Sequence, residues 1–139
     1  MPLLNQTIQA PPWGETIPEH IDFLCWHLEN HPEILESFFQ FADDHQRRRP
    51  GKRFGASDVF GAMRWFGDSE IHAHDDVFAL NNNVVACFAR LYLRERPGAR
   101  DLIATRKSWL DLLNSAEQGL IDNALHRGRA RLEVRPLFP

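Results

Sequence analysis

Apolar positions recur at three- and four-residue spacing through most of this 139-residue chain, the pattern of helices that each bury one face. The first such stretch opens at Thr16-Ile17-Pro18-Glu19. There Thr16 is placed to accept from the backbone three residues on, and Glu19 to reach back, which predicts a capping box. Ile21, Phe23, Leu24, Cys25 and Leu28 continue the stripe to about Asn30. Asn30-His31-Pro32-Glu33 then supplies a stop and a new start with proline in the first helical position. A second helix over about Pro32 to His45 turns Leu35, Phe38, Phe39 and Ala42 inward. Ahead of both, Pro2, Pro11, Pro12 and Gly14 predict an extended arm over residues 1–15, anchored by Trp13.

Ser57 caps a third predicted helix, with Val59, Phe60, Met63 and Trp65 or Phe66 on its apolar side and Arg64 on or near the opposite one. Gly67-Asp68 ends it, and the period then shortens: Glu70 to His74 and Val77 to Leu80 read as two short strands around Asp75-Asp76, a β-hairpin. Asn81-Asn82-Asn83 caps a fourth helix over about Asn83 to Glu95, with Val84, Val85, Cys87, Phe88, Leu91 and Tyr92 inward, and Arg96-Pro97-Gly98 closes it. Short helices over about 99–105 and 108–113 and a further one over about 115–125 follow. The expected fold is mainly α with a β-hairpin (α+β). It forms one domain over residues 16–126, with the hairpin near 70–80, an arm over 1–15 and a basic tail over 127–139. The order helix, basic turn, helix, hairpin, helix fits a winged-helix or helix-turn-helix plan.

Charge changes the picture most. No lysine or arginine precedes Arg47, and Arg47-Arg48-Arg49-Pro50-Gly51-Lys52-Arg53 then places five positive charges in seven residues. The net charge of -3 conceals eight acidic and no basic residues before Arg47, and a basic excess after it. A chain divided in this way works by binding. Arg47, Arg48, Arg49, Lys52 and Arg53, projecting as a loop and joined by Arg64 and by Arg94 and Arg96, would neutralise phosphates of a nucleic acid and release counterions. The third helix offers Ser57, Asp58, Arg64 and little else to base edges, so phosphate contact is expected over sequence readout. The alternative from another class uses the acidic helices: Glu33, Glu36, Asp43 and Asp44 would imitate phosphate and engage a host protein complex. The same acidic third, laid on the basic loop of a second copy, would give a homodimer.

Ten Phe and four Trp against one Tyr predict a single core filled by rings. Cys25 and Cys87 fall in apolar helical patterns, as small buried hydrophobes rather than a disulfide, which fits a reducing interior. The N-terminus lacks the pattern of a secretion signal and no stretch approaches the roughly 18–20 apolar residues that span a bilayer, so the expectation is a soluble cytoplasmic protein with no membrane partner.

Candidate chemistry is sparse. His72 and His74 lie two apart, on one face of a strand, and with Asp75 or Asp76 would offer ligands to a metal; this supports a metal-dependent hydrolase only as a lesser alternative, because no fourth ligand is evident. Neither cysteine has the surroundings of an activated thiolate, no serine elbow occurs, and Gly51, Gly55, Gly61 and Gly67 are spaced too far apart to cradle a nucleotide. The expectation is a non-enzymatic protein with no catalytic residue and no cofactor.

From about Asn30 to Lys107 the chain resembles a family of short uncharacterised proteins of bacteriophages and prophages. The residues that carry the resemblance are His31-Pro32-Glu33, Phe38, Phe41-Ala42, Arg53-Phe54-Gly55-Ala56 and Met63-Arg64-Trp65, then Leu80-Asn81-Asn82-Asn83, Phe88-Ala89-Arg90, and Pro97 before Arg106-Lys107. The resemblance implies a mobile-element setting, in which a regulatory role is expected, and brings no catalytic residue. Its polar positions Arg64, Asn81, Asn82 and Arg90 are expected to satisfy loop carbonyls and helix ends.

Overall fold

In the structure, a computed structural model, Thr16 starts the first helix as its side chain predicts: its hydroxyl accepts from the Glu19 amide at 3.3 Å, and the Glu19 carboxylate accepts from the Thr16 amide at 3.3 Å. The structure describes residues 11–66, 82–103, 105 and 108–134. Among them are five α-helices: α1 (Ile17–Asn30), α2 (Pro32–Arg48), α3 (Ala56–Phe66), α4 (Asn82–Glu95) and α5 (Ser115–Val134). Short 3-10 turns occupy Pro97–Ala99 and Trp109–Leu112. No strand occurs among the described residues, and the single parallel bridge between Phe54 and Ile103 is not a ladder. The α+β, winged-helix expectation is therefore corrected to a mainly α fold. The described segments follow the 3.6-residue period, and the strand component rested only on the short alternating segment Glu70 to Leu80, which lies outside the described residues.

The chain divides into two compact units, residues 1–33 with 111–139, and residues 34–110. In the first, α1 packs along α5 and buries Ile21, Leu24 and Leu28, with Ile121 and Ala124 buried on α5. The close crossing is at Gly128, where a Cβ would overlap the Leu28 carbonyl oxygen and press on Pro32. Arg127 donates through Nε to Glu29 at 2.8 Å, and Arg131 donates to the Glu29 carbonyl at 2.6 Å, capping the open end of α1. Residues 127–134, expected as tail, thus continue α5: Gly128 reads as a breaker in sequence but here permits contact, and two of the arginines have partners on α1. Trp13 anchors the arm by stacking on His20 at 3.8 Å and meeting Phe23 edge-on at 5.1 Å.

His27 was not expected inside. It is 2% exposed, between the rings of Phe23 at 4.4 Å and Trp26 at 5.0 Å, and its Nε2 has no hydrogen-bond partner. Burial, with a smaller contribution from nearby His31, lowers its pKa from 6.5 to about 4. A histidine held neutral in the fold but protonated in the unfolded chain contributes full stability above about pH 6.5, which is lost as pH falls toward 4. The loss attributable to this ring should reach about 3 kcal/mol. Urea titrations of wild type and His27→Leu from pH 7 to 4.5 should show the difference between them shifting toward the variant as pH falls; parallel curves would reject it.

The second unit is built on rings. Phe38 of α2, fully buried, lies 5.4 Å from Phe60 of α3 and 6.0 and 6.1 Å from Phe88 and Tyr92 of α4, while Phe39 meets Tyr92 edge-on at 5.1 Å. Met63 and Leu91 are buried with them. Cys87 is buried too, and loss of solvation pushes its thiol up to about 12; burial likewise raises Cys25 of the first unit to about 11. Both cysteines are free and neither is poised as a nucleophile. Among the described residues no helix is long and apolar enough to cross a membrane.

Candidate functional site

The last turns of α2 carry Asp43, Asp44, Gln46, Arg47 and Arg48. The helix was expected to stop near His45 but runs through Arg48. Cations are favoured at a helix C-terminus, where the last carbonyls are unsatisfied. Asp44 adds to this by pairing three and four residues on, with Arg47 at 3.2 Å and Arg48 at 3.0 Å. Both arginine side chains remain about three-quarters exposed, at 76% and 77%.

Arg49-Pro50-Gly51-Lys52 then forms a tight turn. The Lys52 amide donates to the Arg49 carbonyl at 3.2 Å, Pro50 takes the first central position and Gly51, with φ of 75°, the second, as a type II turn requires. Arg49, Lys52 and Arg53 are exposed, and none pairs with a carboxylate among the described residues. The next residue, Phe54, is buried against His45 with ring centroids 4.4 Å apart, and its amide donates to the Leu102 carbonyl at 2.8 Å. The turn is thereby held at both ends, and the exposed side chain of Arg100 lies on the segment that receives Phe54.

Beside it lies a polar network not anticipated from sequence. Tyr92 donates to Asp43 at 2.5 Å, Gln46 donates to the Tyr92 hydroxyl at 2.6 Å, and Arg96 grips both Asp43 oxygens, at 3.3 and 3.1 Å. The Arg96 guanidinium also lies 5.5 Å from the Phe39 ring centre and 5.8 Å from that of Tyr92. Partial burial alone would raise the Asp43 carboxyl, but the hydrogen bonds from Arg96 and Tyr92 outweigh it and hold the group below its ordinary value. Burial and the carboxylate it donates to push the Tyr92 hydroxyl well above its usual range. The detectable signal was Tyr92 itself: a tyrosine on an inward stripe needs a partner for its hydroxyl. An open groove of about 680 Å³ runs over this network, lined by Gln40, Asp43, Gln46 and Arg47 on α2 and by Arg96, Gly98 and Ala99.

The structure thus gathers Arg47, Arg48, Arg49, Lys52 and Arg53 on the end of one helix and its turn, with Arg96 across the groove from Arg47. Arg64 lies on α3, and its side chain falls outside the described residues. The four carboxylates weighed for partner binding are not a free acidic face. Glu33 lies 3.3 Å from the His31 ring, Glu36 is half-buried, Asp43 is held by Tyr92 and Arg96, and Asp44 serves two arginines. His72 and His74 lie outside the described residues, among which no group of three His, Cys, Asp or Glu side chains is placed to hold a metal ion. No protein-family model, curated protein or solved structure matches the chain.

Proposed function

We propose that this protein binds nucleic acid through the phosphate backbone, using the basic end of α2 and the turn after it, in a bacteriophage or prophage setting and without catalysis. The observation that carries the reading is the exposed trio Arg49, Lys52 and Arg53, unpaired among the described residues, on a turn fixed by Pro50, Gly51 and the Phe54 anchor. The pairs of Arg47 and Arg48 with Asp44 do not cancel it. Exposed ion pairs are worth about 0–1 kcal/mol each, so a phosphate can take over these guanidiniums at little cost. Release of condensed counterions supplies the gain. The face presents exposed cations above all, so affinity is expected to follow charge and to vary little with sequence.

Fluorescence anisotropy with a short labelled duplex, and with single-stranded DNA and RNA of equal length, tests the reading. Wild type should bind with log Kd rising linearly with log salt, at a slope corresponding to about three to five phosphates. Changing Arg47, Arg48 and Arg49 together to Ala should weaken binding at least about tenfold at low salt and lower the slope by about three. No binding of any of the three probes at low salt would remove the proposal.

A further inference from the structure

We propose that Asp44 is a built-in competitor for the anion that the basic face receives, a carboxylate standing where a phosphate would sit. The inference rests on the polyanion reading above and adds a regulatory element to it. Asp44 divides its two oxygens between two guanidiniums, Oδ1 with Arg47 Nη2 at 3.2 Å and Oδ2 with Arg48 Nε at 3.0 Å. Each arginine is therefore held by a single contact, the weaker mode for a fork built to grip two oxygens. Asp43, one residue earlier, is in the opposite condition: Arg96 holds both its oxygens, and Tyr92, itself bonded to Gln46, donates to it. One carboxylate is built into the fold, and its neighbour is displaceable.

Because Asp44 lies one helical turn from both arginines, it meets them within the chain, without the cost of association that a small anion from solution bears. A lone carboxylate or chloride gains nothing by replacing it. A polyanion does, since it also engages Arg49, Lys52 and Arg53 from the same approach. Asp44 thus sets a threshold: it suppresses occupancy by single small anions and lets through ligands that present several phosphates in a row.

The test compares wild type with Asp44→Asn, Asp44→Gln and Asp44→Glu, using the labelled duplex and a salt series. Gln is included because it is the better helix former, so that a loss of α2 structure in the Asn variant does not decide the result. Both neutral variants should bind roughly two- to fivefold tighter at low salt, and Asp44→Glu should bind like wild type. Asp22→Asn, on α1, makes the same change in net charge and should leave binding unaltered. Neutral variants no tighter than a wild type that does bind would overturn the competitor role while leaving the polyanion reading in place. Equal tightening by Asp22→Asn would overturn it as well, by tracing the gain to net charge. A wild type that fails to bind the duplex at all overturns the reading beneath it.

Discussion

Gly128→Ala is expected to destabilise the α1–α5 unit by about 2–4 kcal/mol, although helix propensity alone predicts a gain of about 1 kcal/mol from the same change. The added methyl would overlap the Leu28 carbonyl oxygen, a backbone atom that cannot rotate aside, and would also press on Pro32. Relief requires α5 to move off α1. That movement would weaken the Arg127–Glu29 pair and the bond from Arg131 to the Glu29 carbonyl, and would loosen the packing of Ile121 and Ala124. Gly119→Ala on the same helix is the matched control: nothing lies within 4 Å of its added methyl, so it should stabilise by up to about 1 kcal/mol. Urea unfolding of both variants, with hydrogen exchange read on α1 and α5 amides, measures the pair. Equal effects of the two substitutions would contradict the close crossing.

Phe38→Ala is expected to cost the second unit about 3–5 kcal/mol, a large share of the roughly 5–15 kcal/mol that holds a typical domain folded. Phe38 has no exposed surface and its ring is shared by Phe60, Phe88 and Tyr92, so truncation opens a cavity between three helices that cannot collapse independently. Phe38→Leu should cost less than half as much, since most of the volume is kept. The effect should reach the site, because Tyr92 packs on Phe38 with its ring and orients Asp43 with its hydroxyl. Duplex affinity measured beside thermal melting checks this: in Phe38→Leu, binding should follow the folded fraction. An unaltered melting temperature in Phe38→Ala would contradict the ring-centred core.

The starts of the first two helices were legible because they depend on local chemistry, whereas Ser57, expected as the cap of the third, lies inside α3, which begins at Ala56. Thr16 with Glu19, and Pro32 after His31, dictate their own geometry whatever the rest of the chain does. The inward rings Phe38, Phe60, Phe88 and Tyr92 were legible from spacing. Features set by a distant partner were not. Gly128 and its neighbouring arginines look like a helix-breaking tail until Leu28 and Glu29 are placed opposite them. At the site, the charges of residues 47–53 were evident as a block, but their division between the end of α2 and the turn after it was not; Asp44 pairs with the two arginines on the helix side of that division. The α+β expectation rested on alternation over a few residues, which is a weak signal for strands beside the 3.6-residue period that the described helices follow.

The Pro50-Gly51 corner bears on kinetics as much as on shape. Pro50 has its φ locked by its ring, and Gly51 already occupies the left-handed region, so no backbone rearrangement need precede capture of a ligand. Under the proposed polyanion binding, encounter would be governed by long-range attraction, giving a fast on-rate that depends strongly on ionic strength, while the residence time would depend on how many guanidinium and ammonium contacts must break together. Such a surface would catch and release its target quickly, suited to scanning a long polymer rather than to staying at one address.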